Sequence, residues 1–185
     1  MQKHEIGKKI IEVGSRFSGL YETKSNEQWS DKQLSNELLD MMLRTGWLKG
    51  QPYCASFVES VWVKAYTELK APEKLIRDIR KILTPSVITS YTESKKIAPI
   101  ANIPSVGSIF FMQLRNQWKG HSGLVVDYKS GTGRFKTLEG NTSASKSDPE
   151  RDRNGDGIYI KDRTLIFKKS TTDLNLLGFL EPLEW

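Results

Sequence analysis

A single cysteine, Cys54, and two histidines, His4 and His121, are the whole supply of thiol nucleophile and imidazole base in 185 residues. Cys54 lies in QPYCASFVESVW, at the opening of an apolar run (Phe57, Val58, Val61, Trp62, Ala65) with the period of a buried helix. A thiol on a first helical turn sits beside unpaired backbone N–H groups and the positive end of the macrodipole, and both favour thiolate over thiol. The alternative for a lone cysteine is a small buried hydrophobe. His4 falls in the N-terminal tail, which leaves His121, in WKGHSGLVVDY, as the base. Gly120 and Gly123 beside it are expected to leave room for a substrate backbone to approach the ring. One strand further on, TLEGNTS carries Glu139 and Asn141. Residues two apart on a strand face the same way, so both are expected to turn toward His121, fix its tautomer and stabilise its charged form. A polar turn closing a hairpin is the alternative.

The elements that must position these groups are legible from periodicity. Ile6, Ile10, Ile11, Val13 and Phe17 mark a helix over 5–18, ended by Gly19 and Lys24-Ser25-Asn26. A second helix is expected from Ser30, with Gln33 completing a capping box and Leu34, Leu38, Met41 and Met42 inward. The cysteine helix follows to about Leu69, then a helix from Pro72 to Leu83, then Thr84-Pro85 read as a cap with a first-turn proline. After Pro104 the chain turns to short strands: Ser108 to Met112, Ser122 to Tyr128, Phe135 to Glu139, Gly157 to Lys161, Thr164 to Phe167 and Leu177 to Leu180. Residues 141–156 read as an exposed polar loop, and there is no internal repeat. Helices first and strands afterwards predict an α+β fold, N-terminal helices packed on an antiparallel sheet of five or six strands.

Composition sets bounds on function. With 37% hydrophobic residues the chain can build a core, and it is expected to form one domain. One cysteine excludes an internal disulfide and any zinc site made of several thiolates. The start, MQKHEIGKKIIEVGSRF, has no uninterrupted apolar stretch of the kind a signal peptide or membrane span needs, so a soluble protein made in the cytoplasm is expected. The net charge of +6 lies in the second part: residues 1–60 hold eight Lys or Arg against eight Asp or Glu, and the rest hold 28 − 8 = 20 against 22 − 8 = 14. A basic surface attracts polyanions in general. The cations are scattered rather than banded and no nucleic-acid motif accompanies them, which argues against nucleic acid.

P-x-C-A-x-F-V at a helix start, then G-H-x-G before apolar residues, then E-G-N on the next strand, resembles the CHAP family of cysteine, histidine-dependent amidohydrolases and peptidases. The match covers roughly residues 50–165, and the stretch before it resembles the helical lead-in of some phage and bacterial wall hydrolases. The resemblance implies a single catalytic domain over 1–185, with a helical lead-in over 1–49 and a papain-like core over 50–185. It implies Cys54 as nucleophile, His121 as general base, and Glu139 with Asn141 as orienting residues. The substrate it implies is bacterial peptidoglycan, cut between muramic acid and L-alanine or within the stem peptide or cross-bridge. Such an enzyme would act on the wall after release or injection, as a monomer, without membrane insertion, and as an injected effector it would need an export partner or immunity protein. Tyr53 stands where many relatives have Trp or Gln. Gln51 and Tyr53 are the candidates for a second oxyanion donor, and with Gly120 they form the expected substrate-binding set.

DRNGDGIYIKDR begins like an EF-hand loop, with Asp152, Asn154 and Asp156 at the first, third and fifth positions. Its twelfth position is Arg163 in place of the bidentate Glu, so a tight turn into a strand is expected, with calcium as the alternative and no other cofactor. Two rival functions are a papain-like peptidase or amidase on a non-wall substrate, and a basic binding module without catalysis.

Overall fold

A computed structural model of the chain describes residues 1–115, 117–144, 155–167 and 174–185. Five helices, α1 (Lys3–Ser15), α2 (Lys32–Leu43), α3 (Cys54–Glu68), α4 (Glu73–Ile82) and α5 (Val87–Ser94), precede the main sheet. A small hairpin, β1 (Glu22–Lys24) with β2 (Gln28–Trp29), separates α1 from α2. The sheet comprises β3 (Ile109–Leu114), β4 (Gly120–Lys129), β5 (Arg134–Thr142), β6 (Gly157–Thr164) and β7 (Leu174–Leu180), antiparallel in the order β6-β5-β4-β3-β7. The fold is α+β, with the N-terminal helices packed on a five-stranded antiparallel sheet.

Local sequence explains most boundaries and corrects some. α2 is capped by Asp31, whose carboxylate accepts from the Leu34 N–H at 2.8 Å, so the cap lies one residue beyond Ser30. Pro85 likewise lies outside α5, because Ser86 is the cap and accepts from Thr89 N. The runs Gly157 to Lys161 and Thr164 to Phe167 are not two strands: β6 is continuous through Thr164, paired residue by residue with β5.

α3 runs through the centre of the molecule. Phe57, Val61, Trp62, Ala65 and Tyr66 are fully buried, each large side chain contributing roughly 1.5–3 kcal/mol. They join Ile6, Ile10 and Val13 of α1 and Leu124 and Leu138 of the sheet in one core. α1 reaches this core closely because Gly7 has no Cβ: one placed there would lie 2.2 Å from the Val106 carbonyl oxygen. The sheet's alternate residues, Phe110, Met112, Val125, Phe135, Leu176 and Phe179, form a second apolar cluster. Among the described residues no helix is long and apolar enough to cross a membrane.

Candidate active site

Cys54 is the first residue of α3. Tyr53 before it is the cap residue but makes no side-chain capping bond, and the helix has no acidic residue in its first turn. No capping side chain or first-turn acid therefore offsets the positive end of α3. His121 is the second residue of β4, the middle strand, opposite Met112 of β3. The fold brings the two side chains close enough to act on each other's charge. Cys54 is 8% exposed and the His121 side chain 12%, so both are sheltered without being sealed off.

Behind the imidazole stands a chain of charge that crosses three strands. His121 Nε2 lies 2.7 Å from Glu139 Oε2 on β5. That leaves Nδ1 as the nitrogen for the thiol. Glu139 is fully buried and saturated with donors: Arg163 of β6 binds it twice, Nε to Oε1 at 2.7 Å and Nη2 to Oε2 at 2.5 Å, and Thr137 Oγ1 donates to Oε1 at 2.5 Å. A two-pronged guanidinium contact of this kind fixes direction as well as charge. The Phe110 ring lies 5.8 Å from the imidazole centroid, on the strand beside it.

The electrostatics follow from these contacts. Burial opposes the charge on Glu139, but His121 and Arg163 outweigh it and hold the carboxyl well below the usual carboxylate range. Burial also opposes the imidazolium, yet the thiol and Glu139 raise His121 to about 9. For Cys54 burial again opposes ionisation, and the His121 side chain, with the backbone of Ser122 and Ala55, brings the thiol below its ordinary value. Pairing thus works toward thiolate beside imidazolium, in a site where burial alone would favour two neutral groups.

The remaining expected site residues fare differently. Asn141 has a φ of 54°, in the left-handed region, where the β5–β6 register shifts between Gly140 and Thr142. The two-residue alternation therefore stops before it, and its amide packs against Gly155, whose added Cβ would lie 3.0 Å from Asn141 Oδ1. Extended geometry thus delivers Glu139 to the imidazole and does not deliver Asn141. Tyr53 is fully buried and its hydroxyl is committed: it accepts from Trp29 Nε1 at 3.0 Å and also meets the Glu22 carboxylate and the Asn141 backbone. Burial pushes the phenol above its ordinary range, so Tyr53 braces the start of α3 and is no free oxyanion donor. Gly120 and Gly123 do not open space for a substrate. A Cβ on Gly120 would lie 2.5 Å from the Met112 carbonyl oxygen, and one on Gly123 would meet Phe110, Glu139 and the Leu138 carbonyl within 2.8 Å. These glycines let strands and the buried carboxylate pack closely. Gln51 is exposed just ahead of α3, its carbonyl holding Trp47 Nε1 at 2.9 Å.

Two residues of the site escape motif reading. Arg163, which the calcium-loop reading treats as a missing ligand, is the cation behind Glu139, and Thr137 is its hydroxyl partner. Their signal is strand geometry: Thr137 is two residues before Glu139, and Arg163 sits on the paired strand opposite Phe135, two residues earlier still. Of the calcium-loop residues, Asp152 and Asn154 lie outside the described residues. Asp156 is buried and its carbonyl accepts from Glu22 N at 2.7 Å. Among the described residues no group of three or more His, Cys, Asp or Glu is placed to hold a metal.

No family model, curated protein or solved structure matches the chain. The site's own geometry sets what it can do: a thiol at a helix N-terminus, a base beside it, and a carboxylate fixed behind the base.

Proposed function

We propose that this protein is a cysteine-dependent hydrolase of CHAP type, papain-like in architecture, that cleaves an amide bond of bacterial peptidoglycan through a thioester. The observation that supports this most is the placement of His121 between the Cys54 thiol and the Glu139 carboxylate. The resemblance of the three motifs supplies the substrate class, and the net charge of +6 suits a polyanionic wall.

In this reading the thiolate attacks the carbonyl carbon and the carbonyl's π electrons move to oxygen. The oxyanion forms beside the N-terminus of α3, within reach of the Cys54 N–H, and Gln51 is the candidate for a second donor. His121 gives its proton to the amide nitrogen, the C–N bond breaks, and the amine leaves. A water then attacks the thioester while His121 takes its proton, and collapse releases the acid product and the thiolate. Glu139 stays ionised throughout and is a positioning residue, held by Arg163 and Thr137.

The scissile bond in this proposal is either N-acetylmuramoyl-L-alanine or a stem-peptide or cross-bridge amide. Mass spectrometry of purified peptidoglycan incubated with the protein distinguishes them by the new amine and carboxyl termini. The expected result is one new pair of termini with wild type and none with Cys54→Ala. An intact wall with folded wild type, alongside turnover of peptide or small amide substrates, would move the protein to a non-wall amidase or peptidase.

A further inference from the structure

The middle of α3 carries a second buried ionisable group that the hydrolytic reading does not use. Glu59 is 3% exposed and Ser60 beside it 4%, and among the described residues neither Glu59 Oε2 nor Ser60 Oγ has a hydrogen-bond partner. Both line a cleft of about 270 Å³ walled by α2, α3 and α4. Leaving a carboxyl and a hydroxyl buried without partners is costly, and native proteins tolerate it mainly where something else completes the bonds.

Charge at the mouth says what that something is. Arg44 is paired with Asp40 at 2.8 Å, and Lys64 with Glu68 at 3.1 Å. Arg80 of α4 lines the same cleft and is exposed; among the described residues it makes no ion pair, though its charge acts on Glu59. The cleft thus offers an unmet acceptor at its floor and an uncommitted cation at its rim, with Met41 and Val63 as apolar wall between.

We propose that this cleft binds a small zwitterion of amino-acid or dipeptide size, its ammonium on Glu59 and Ser60 and its carboxylate on Arg80. The ammonium supplies the donors that Glu59 Oε2 and Ser60 Oγ lack, and the carboxylate takes a bidentate contact from the guanidinium. The site lies on another stretch of α3 from Cys54 and does not depend on the hydrolytic reading. Binding requires Glu59 as carboxylate, and burial raises its pKa to about 8, so affinity rises with pH up to that value. Asp40 and Arg44 from α2, Lys64 and Glu68 from α3 and Arg80 from α4 also face the cleft, so the pH effect of Glu59 is the difference between wild type and Glu59→Gln.

The test is a titration of the full-length protein with glycylglycine, followed by backbone amide shifts, with acetate and glycine ethyl ester as probes of each half. Saturable shifts at Ser60, Val63, Met41 and Arg80 are expected. Affinity should fall about tenfold in Glu59→Gln and severalfold in Arg80→Ala, and each half-probe should bind more weakly than the dipeptide. Absent saturation, shifts centred on Cys54 and His121, or unchanged affinity in either variant would overturn the proposal. Arg80 is exposed, so its variant keeps the test decisive if Glu59→Gln folds poorly.

Discussion

Glu139 and Glu59 are both buried, and their chemistry runs in opposite directions. Glu139, with His121, Arg163 and Thr137 around it, is held ionised far below the usual range. Glu59, whose Oε2 has no hydrogen-bond partner among the described residues, is pushed up to about 8 by burial. Burial pushes both carboxyls up, and the donors aimed at the Glu139 oxygens make the difference between them. The same contrast separates the two stretches of α3, one where a charge chain is complete and one where it lacks an end.

The comparison can be broken at its strongest point first. Cys54→Ala should remove peptidoglycan cleavage by on the order of 10⁴-fold or more, with the melting temperature close to wild type, and wall-clearing assays read this directly. Glu139→Gln should lower kcat by roughly 10²–10⁴-fold while KM stays put, because Glu139 acts through the imidazole. It also carries a signature that a merely structural residue lacks. Wild-type activity should fall as pH rises through about 9, where His121 loses its proton, and without the Glu139 charge that alkaline limb should move to lower pH.

Stability against pH sharpens the contrast. His121 has a folded pKa raised from 6.5 to about 9, so its contribution is fully present below 6.5 and disappears as pH climbs through about 9. Glu59 is a raised acid: the unfolded chain releases its proton near 4.5 while the folded state holds it to about 8, so stability also declines with pH across that window. Glu59→Gln should flatten the decline between 4.5 and 8 by roughly 2–4 kcal/mol, seen in denaturant midpoints, and leave the loss near 9 in place. Smaller still, Tyr53→Phe should cost about 1 kcal/mol by orphaning Trp29 Nε1, with turnover retained, since its hydroxyl is committed away from the site.

The helices, β3, β4, β5 and β7, and the meeting of His121 with Glu139 were legible because each rests on period or on order along the chain, whereas β6 reads in the sequence as two strands. Phe57, Val61 and Trp62 announce a buried helix whatever surrounds it. Arg163 was not legible: its partner is decided by the β5–β6 register, which only the folded sheet sets. Asn141 shows the converse failure, where a rule of alternation was extended one residue past a register shift. Gly120 and Gly123 show that a missing side chain reads the same in sequence whether the space goes to a ligand or to the protein's own backbone. Glu59 passed unnoticed because one acidic residue in an apolar helix reads as its solvent side, whereas here it is buried.

The ionisation of Cys54, followed by its ultraviolet thiolate absorbance as a function of pH in wild type and His121→Ala, tests the charge chain most directly. Wild type should titrate below the ordinary thiol value of about 8.5, and His121→Ala should move the titration up to or beyond that value. A wild-type thiol that titrates at the ordinary value, or a titration indifferent to the loss of His121, would contradict the account.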